Sequence, residues 1–162
     1  MIIELAPTLD RKIFIDSLQA AFRRADGTNK FRDEDLPSFF DKTRATLLNI
    51  IADKKIVGGA VLIINAETQH NKLSLFFVDA GKRNSGIGFE AWQAIERLYP
   101  DTKVWYASTP WLDRRNVHFY LNKCGFVAFS IYGEQDTYLA MEKVMGLTIE
   151  SQAKSEKNSR VL

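Results

Sequence analysis

The fold is decided by residues 73–91, which read Leu-Ser-Leu-Phe-Phe-Val-Asp-Ala-Gly-Lys-Arg-Asn-Ser-Gly-Ile-Gly-Phe-Glu-Ala. The apolar run Leu73–Val78 predicts a buried strand, and the apolar residues that recur at helical spacing after Gly88 predict a helix. A basic loop with Lys82 and Arg83 lies between them. Glycines where a helix begins leave unpaired backbone N–H groups at its positive end, and they let a diphosphate approach the backbone. The segment is therefore typical of an anion-binding loop, to which Lys82 and Arg83 would add full positive charges.

The spacing of the glycines leaves three interpretations of this loop, of which a tight turn and a dinucleotide fingerprint come first and a family resemblance is given below. Gly86 and Gly88 can simply permit a tight turn into a helix. The segment 86–91 also fits the Gly-x-Gly-x-x-Ala form of a dinucleotide fingerprint, which would indicate an NAD-dependent enzyme. That motif needs glycines directly after the strand and an acidic residue at the end of the next strand, whereas here a basic loop intervenes and Val104–Ala107 ends without a carboxylate. A Walker loop fails because no Gly-Lys-Ser/Thr closes it.

The composition fits one compact domain. The chain has 162 residues, of which 46% are hydrophobic and 26% charged, and 22 basic minus 20 acidic residues leaves a net charge of +2. This balance is far from the basic excess of a typical nucleic-acid-binding domain. One cysteine and two histidines do not favour a disulfide or a metal site. The longest apolar stretch, Ile56–Ile64, is too short to span a membrane, and no secretory pattern opens the sequence, so we expect a cytoplasmic protein.

Strand and helix patterns alternate along residues 1–145, and they predict a single mixed α/β domain with its helices flanking a sheet. Helices are predicted after Thr8 as the cap, after Asp35, over the segment that ends before Pro100, and from Asn116 to Gly125. The predicted strands are Ile2–Leu5, Leu48–Ala52, Ile56–Asn65, Leu73–Val78, Val104–Ala107, Phe126–Tyr132 and Thr137–Val144. Residues 146–162 are rich in serine and charge, which predicts a disordered tail.

Two motifs resemble the GNAT superfamily of N-acetyltransferases. Val78, Arg83, Gly86 and Gly88 match every fixed position of that family's acyl-CoA signature, which is valine, four residues, arginine or glutamine, two residues, glycine, one residue, and glycine or alanine. The segment 116–126, Asn-Val-His-Phe-Tyr-Leu-Asn-Lys-Cys-Gly-Phe, resembles the family's later helix, which ends in Gly-Phe. The resemblance covers roughly Met1 to Val144, and it implies a mostly antiparallel central sheet flanked by helices.

The resemblance further implies that acetyl-CoA is the co-substrate and that its acetyl group passes directly to a primary amine of a small molecule or peptide. In that family the strand before the loop splays from its neighbour, and the pantetheine arm pairs with its exposed backbone. The backbone N–H of Val78 or its neighbour would then polarise the thioester carbonyl. Asn116 resembles an asparagine that contacts the cofactor arm, although it also suits a helix cap. The implied cofactor-binding residues are Phe77, Val78, Arg83, Asn84, Ser85, Gly86, Ile87, Gly88 and Asn116.

Tyr120 is the predicted catalytic acid, although its register departs from the family. Many members place three residues between a tyrosine and the helix-ending glycine, but four separate Tyr120 from Gly125, and the usual register falls on Leu121. One residue turns a side chain by about 100 degrees around a helix, and a widened last turn would restore its direction. Two alternatives stay open. Tyr120 can pack beside Phe119, or no acid is needed because a thiol, which ionises at about pH 8.5, can leave as the thiolate.

The sequence identifies neither the general base nor the acceptor. The cofactor strand carries no glutamate, and Asp79 suits a cap of the loop. The proton can leave through water past Tyr106, Ser108 or Thr109, or through His118. A homodimer is left open, because the edge of the last strand can be paired or covered, and no membrane partner is expected. The family draws its acceptor surface from the first two helices and the end of the fifth strand, which here offer Phe31, Arg32, Asp33, Glu34, Asp35, Phe39, Phe40, Trp111 and Asp113.

Overall fold

A computed structural model describes residues 1–22 and 45–146. The predicted second helix after Asp35, the acceptor residues between 31 and 40, and the predicted tail from 147 onwards lie outside the described residues. Within them, seven strands form one sheet in the order β1-β2-β3-β4-β5-β7-β6, and every neighbouring pair is antiparallel except β4 and β5. The strands are β1 (Ile3–Pro7), β2 (Ala45–Ala52), β3 (Lys55–Ile63), β4 (His70–Val78), β5 (Val104–Pro110), β6 (Val127–Tyr132) and β7 (Tyr138–Val144).

Three described helices pack on the two faces of this sheet. They are α1 (Arg11–Ala21), α2 (Ile87–Leu98) and the short α3 (Arg114–His118), which continues as a π-helical turn over Phe119–Lys123. Phe14 and Leu18 of α1 are fully buried and belong to the same apolar cluster as Val61 and Phe77. On the opposite face Trp92 and Ile95 of α2 pack with Trp105 of β5. The expected mixed fold with a mostly antiparallel sheet is therefore confirmed.

A β-bulge in β4 separates this strand from its parallel neighbour. The register with β3 moves from Leu75 opposite Val61 to Leu73 opposite Leu62, which leaves Ser74 as an extra residue. Pairing between β4 and β5 ends at Leu73 opposite Ala107, although both strands continue. Because a bulge bends its strand and increases the local twist, the second half of β4 turns away from β5. The unpaired stretch between 74–78 of β4 and 108–110 of β5 is called the β4–β5 gap below.

Several predicted boundaries were wrong at their ends. The cap of α1 is Asp10 rather than Thr8, because the Asp10 carboxylate accepts a hydrogen bond from the Ile13 N–H at 3.1 Å, while the Thr8 hydroxyl accepts from the Asp10 N–H. The helix expected to start near Asn116 starts at Arg114. The strands β1, β2, β4 and β5 also run beyond their predicted starts or ends, because pairing with a neighbour carries a strand past its apolar run. Among the described residues, no helix is long and apolar enough to cross a membrane.

Candidate functional site

The β4–β5 gap presents backbone groups of β4 that no strand takes up. The N–H of Asp79 donates to the Val57 carbonyl of β3 at 2.8 Å. Alternate residues of an antiparallel strand direct their backbone groups to the same neighbour, so Phe77 also faces β3, whereas Phe76 and Val78 face the gap. Of the two neighbouring N–H groups that the sequence left open, the geometry therefore points the Val78 N–H into the gap.

The loop after β4 is held open by local hydrogen bonds and two left-handed residues. Its first turn is a short 3₁₀ segment, Ala80–Lys82, and the Ser85 hydroxyl donates to the Lys82 carbonyl. Asn84 and Gly86 have φ of +62° and +84°. The expected cap at Asp79 is absent, since its carboxylate makes no capping hydrogen bond at this turn. Burial raises the pKa of the Asp79 carboxyl, and the nearby Lys82 and Arg83 charges oppose that shift.

Gly86 is the residue before α2, and it has no side chain to cap the helix. The Glu90 N–H donates to the Gly86 carbonyl, so the N–H groups of Ile87, Gly88 and Phe89 are the first-turn donors without an acceptor inside the helix. A Cβ on Gly86 would meet no atom within 4 Å, so glycine is needed for its positive φ rather than for lack of room. These donors lie at the positive end of a 12-residue helix, where an anion is stabilised.

The charge of Arg83 suggested a guanidinium directed at the start of α2, but the side chain contacts the end of α1 instead. Its Nη2 donates to the Ala21 carbonyl at 2.8 Å, and its Nε lies 3.4 Å from the Val78 carbonyl. The guanidinium also lies 5.6 Å from the centre of the Phe22 ring. Since Ala21 ends α1, a cation from a distant loop meets the negative end of that helix, which has no basic residue in its own last turn. Arg83 thus fixes the loop to α1.

A cavity of about 290 Å³ joins the gap, the loop and the start of α2. Four lysine or arginine side chains and one carboxylate line it, so its charge is predominantly positive. Residues from both faces of the sheet contribute, because Phe76 and Phe119 pack on the α2 side, where their rings stack at 5.9 Å, and Phe22 and Phe77 on the α1 side. The full lining is Phe22, Phe76, Phe77, Val78, Lys82, Arg83, Asn84, Gly86, Gly88, Phe89, Asp113, Arg115, Asn116, His118, Phe119 and Lys123.

The cavity brings together most of the cofactor residues expected from the sequence. Phe77, Val78, Arg83, Asn84, Gly86, Gly88 and Asn116 line it. Ser85 and Ile87 do not, since the Ser85 hydroxyl is bound to the loop and the Ile87 side chain is buried in an apolar cluster with Ala91. Their backbone groups remain part of the predicted anion site, because a helix start binds anions through N–H groups rather than side chains.

Asn116 lines the cavity but is not the helix cap. Asp113 caps α3: its Oδ1 accepts from the Asn116 N–H at 3.2 Å, and its Oδ2 accepts from the Asn116 side-chain amide at 3.1 Å. The capping interpretation of Asn116 was therefore wrong, because the helix starts two residues earlier. Its contact with a cofactor stays a prediction.

Tyr120 lies in the core rather than on the cavity wall. Its ring packs edge-on against Phe119 and Phe126, at 5.4 and 5.5 Å between centres, and it belongs to the main apolar cluster. The turn is widened, since the Cys124 N–H donates to the Phe119 carbonyl five residues back. This π-turn absorbs the extra residue before Gly125 but leaves the ring inside. Burial raises the pKa of the Tyr120 hydroxyl above its ordinary value, with smaller contributions from Cys124 and Asp113.

The arrangement weighs against Tyr120 as the acid. A hydroxyl whose pKa is raised above the ordinary tyrosine value of about 10 gives its proton to a thiolate of pKa about 8.5 only uphill. His118 does line the cavity, and its Nδ1 lies 2.7 Å from the Asn122 amide nitrogen. If that ring nitrogen accepts the amide hydrogen, the imidazole proton is on Nε2.

Sequence reasoning missed several wall residues. Phe22 follows α1, Phe89 belongs to α2, and Phe119 and Lys123 belong to the π-helical turn after α3. The packing of these three parts of the chain around the loop brings the four residues to one cavity. Arg115 also lines the cavity, and the sequence does carry a signal for it, because it belongs to a basic pair immediately before Asn116 of the family motif.

The comparisons with known proteins agree with this geometry. The model of the Acetyltransferase (GNAT) family matches residues 12–126. A Bacillus subtilis (strain 168) protein, the uncharacterized protein YrkN, is 42% identical over 143 residues, which cover 83% of this chain and 77% of that protein. A GNAT acetyltransferase structure from Elizabethkingia anophelis with acetyl-CoA bound is similar at a TM-score of 0.68 and 17% identity, covering 88% of this chain and 98% of that one.

An acetyltransferase structure from Thermus thermophilus is similar at a TM-score of 0.72 and 16% identity, covering 90% of this chain and 98% of that one. At such identities these structures show the fold. The family model spans more than half of the chain, including the loop and helix start described above. The chain belongs to the GNAT family of acetyltransferases.

Proposed function

We propose that this protein transfers an acetyl group from acetyl-CoA to a primary amine of a small molecule or peptide. One observation carries the proposal: the β4–β5 gap and the start of α2 open into the same cavity. A thioester on a long polar arm that ends in a diphosphate needs both, because the arm pairs with strand backbone and the diphosphate with helix N–H groups.

The residues present fit such a co-substrate. The first-turn donors of α2 lie beside Gly86, where a Cβ would meet no atom within 4 Å. Lys82 and Lys123 add positive charge to the cavity wall. In the gap, the Val78 N–H would donate to the thioester oxygen, where negative charge develops as an amine attacks.

The proposed reaction is direct transfer in a ternary complex. Acetyl-CoA supplies a thioester carbon; the amine nitrogen forms a bond to it, the carbon–sulfur bond breaks, and the proton lost by nitrogen ends on the thiol. The substrate ammonium must first lose a proton, and water past Ser108 or Thr109 of β5 is the proposed route. Tyr120 is not needed as the acid, since a thiolate is a fair leaving group and the hydroxyl lies in the core.

A second candidate is an acyl-CoA-binding module without chemistry. The interior position of Tyr120 favours it, as does the cavity's only carboxylate among the described residues, Asp113, whose two oxygens already accept from Asn116. Thiol release separates the two candidates. Release from acetyl-CoA that depends on an added amine eliminates the binding module, whereas tight binding without release on a broad panel of amines eliminates the transferase.

The first test is calorimetric titration with acetyl-CoA, with NAD and ATP as controls. We expect micromolar binding that is selective for acetyl-CoA. Gly86→Val should weaken it strongly, because valine does not adopt the left-handed conformation that starts α2. Gly81→Val is the matched control, since a Cβ on Gly81 also meets open space but its φ is not left-handed. Equal affinities of both variants and the wild type would contradict the assignment of the loop.

The setting of the reaction is also part of the proposal. The single cysteine, Cys124, is free and buried, which suits a reducing compartment such as the cytoplasm. A homodimer stays a proposal as well: β6 is an edge of the sheet, and five of its six residues are exposed. Size-exclusion chromatography with light scattering measures that state directly.

A further inference from the structure

One cationic side chain of the cavity wall, Arg115, belongs to α3 rather than to the loop after β4 or to α2. Arg115 of α3 reaches the loop after β4, where its Nη2 donates to the Asn84 side-chain oxygen at 3.1 Å. The residue is otherwise exposed and lines the cavity. A guanidinium carries five N–H donors, and this contact uses one of them.

The partner of Arg115 orients the charge without neutralising it. Asn84 is an amide, not a carboxylate, and its backbone is left-handed at φ +62°. The carboxylate of the cavity, Asp113, is engaged by Asn116 through both oxygens. The Arg83 charge meets the end of α1. Arg115 is thus a positioned cation whose charge no described carboxylate balances.

The proposed co-substrate carries anionic groups in two places. The diphosphate belongs at the α2 start, next to Gly86. Coenzyme A carries a further phosphomonoester on the ribose to which its diphosphate is attached, and so presents a second anion one sugar away. A phosphomonoester is close to doubly charged at neutral pH and offers three acceptor oxygens. The planar fork of an arginine matches two of them.

We propose that Arg115, oriented by Asn84, binds the ribose 3′-phosphate and makes the protein select coenzyme A over its dephosphorylated form. The inference rests on the proposed function and deepens it: the α2 start holds the diphosphate that all such ligands share, and Arg115 reads the group in which they differ.

Coenzyme A and dephospho-coenzyme A are the matched probes, titrated by calorimetry into the wild type and its variants. We expect the wild type to bind coenzyme A about tenfold more tightly than dephospho-coenzyme A, as for one exposed charge-assisted contact. Arg115→Ala should abolish this preference and leave the affinity for dephospho-coenzyme A within about twofold. Arg114→Ala, which removes the same charge from the neighbouring exposed position, should keep the preference.

Two more variants test the geometry. Arg115→Lys keeps the charge but not the fork, and Asn84→Gly keeps the left-handed turn but not the amide; each should retain part of the preference. The inference is overturned if Arg115→Ala lowers the affinity for both ligands equally or for neither. It is also overturned if Arg114→Ala abolishes the preference for coenzyme A as Arg115→Ala does. Failure of the proposed function is a different result, since the wild type would then bind neither ligand.

Discussion

Replacing Arg83 with alanine should destabilise the protein before any ligand is added. The guanidinium makes one short hydrogen bond to the Ala21 carbonyl, one long contact at 3.4 Å to the Val78 carbonyl, and a contact with the Phe22 ring. A hydrogen bond to a charged group contributes about 1.5–3 kcal/mol and a cation–π contact about 0.5–1 kcal/mol. Since Arg83 is half-buried, we take the lower part of that range and expect a loss of about 2 kcal/mol.

The assay is urea unfolding of the ligand-free protein, followed by thermal unfolding. A loss of about 2 kcal/mol in a chain of this size lowers Tm by about 4–8 °C. Lys82→Ala is the control, because it removes the same charge from an exposed neighbour and should change the unfolding free energy by less than about 0.5 kcal/mol. Acetyl-CoA affinity should fall in both variants, for Arg83 because the loop loosens and for Lys82 because a charge is lost.

The refuting result is specific. If Arg83→Ala leaves the ligand-free stability unchanged and lowers only acetyl-CoA affinity, the guanidinium binds phosphate, as its charge in the sequence suggested, and does not fix the loop to α1.

Three further predictions concern the interior. Tyr120→Phe should keep turnover within about threefold of the wild type, whereas a loss of about a hundredfold or more would restore the hydroxyl as the acid. Asn71→Ala should cost about 2–4 kcal/mol in urea unfolding, because the fully buried amide donates to the Thr102 hydroxyl at 2.7 Å and accepts from the Asn65 N–H at 2.9 Å; a cost below about 1 kcal/mol would show that the pair is replaceable. Burial raises the pKa of the Cys124 thiol to about 12 from its ordinary 9.0, so a disulfide reagent at about pH 8 should label it only in denaturant. The unfolding free energy should fall as pH rises from 9.0 towards 12, since the unfolded thiol ionises first; rapid labelling of the native protein would contradict both expectations.

Local chemistry explains why the loop after β4 and the start of α2 could be predicted from the sequence. Gly86 takes a left-handed conformation that glycine adopts without strain, and the helix that follows has its apolar residues at regular spacing, so the loop and the start of α2 are encoded by neighbours in the chain. The same holds for the antiparallel hairpin of β2 and β3. The family motif added the expectation of a splayed strand at Val78.

The tertiary structure decided what depends on residues distant in sequence. The bulge at Ser74 opens the β4–β5 gap through pairing with β3, and a bulge is set by strand register rather than by residue type. Arg83 meets a helix end 62 residues away, which its charge alone could not indicate. The extra residue before Gly125 becomes a π-turn that keeps Tyr120 in the core, because burying its ring among aromatic neighbours fixed the side chain. The sequence alone thus determined the glycine-containing loop and the start of α2, where local backbone conformation suffices, while packing decided which side chains surround them.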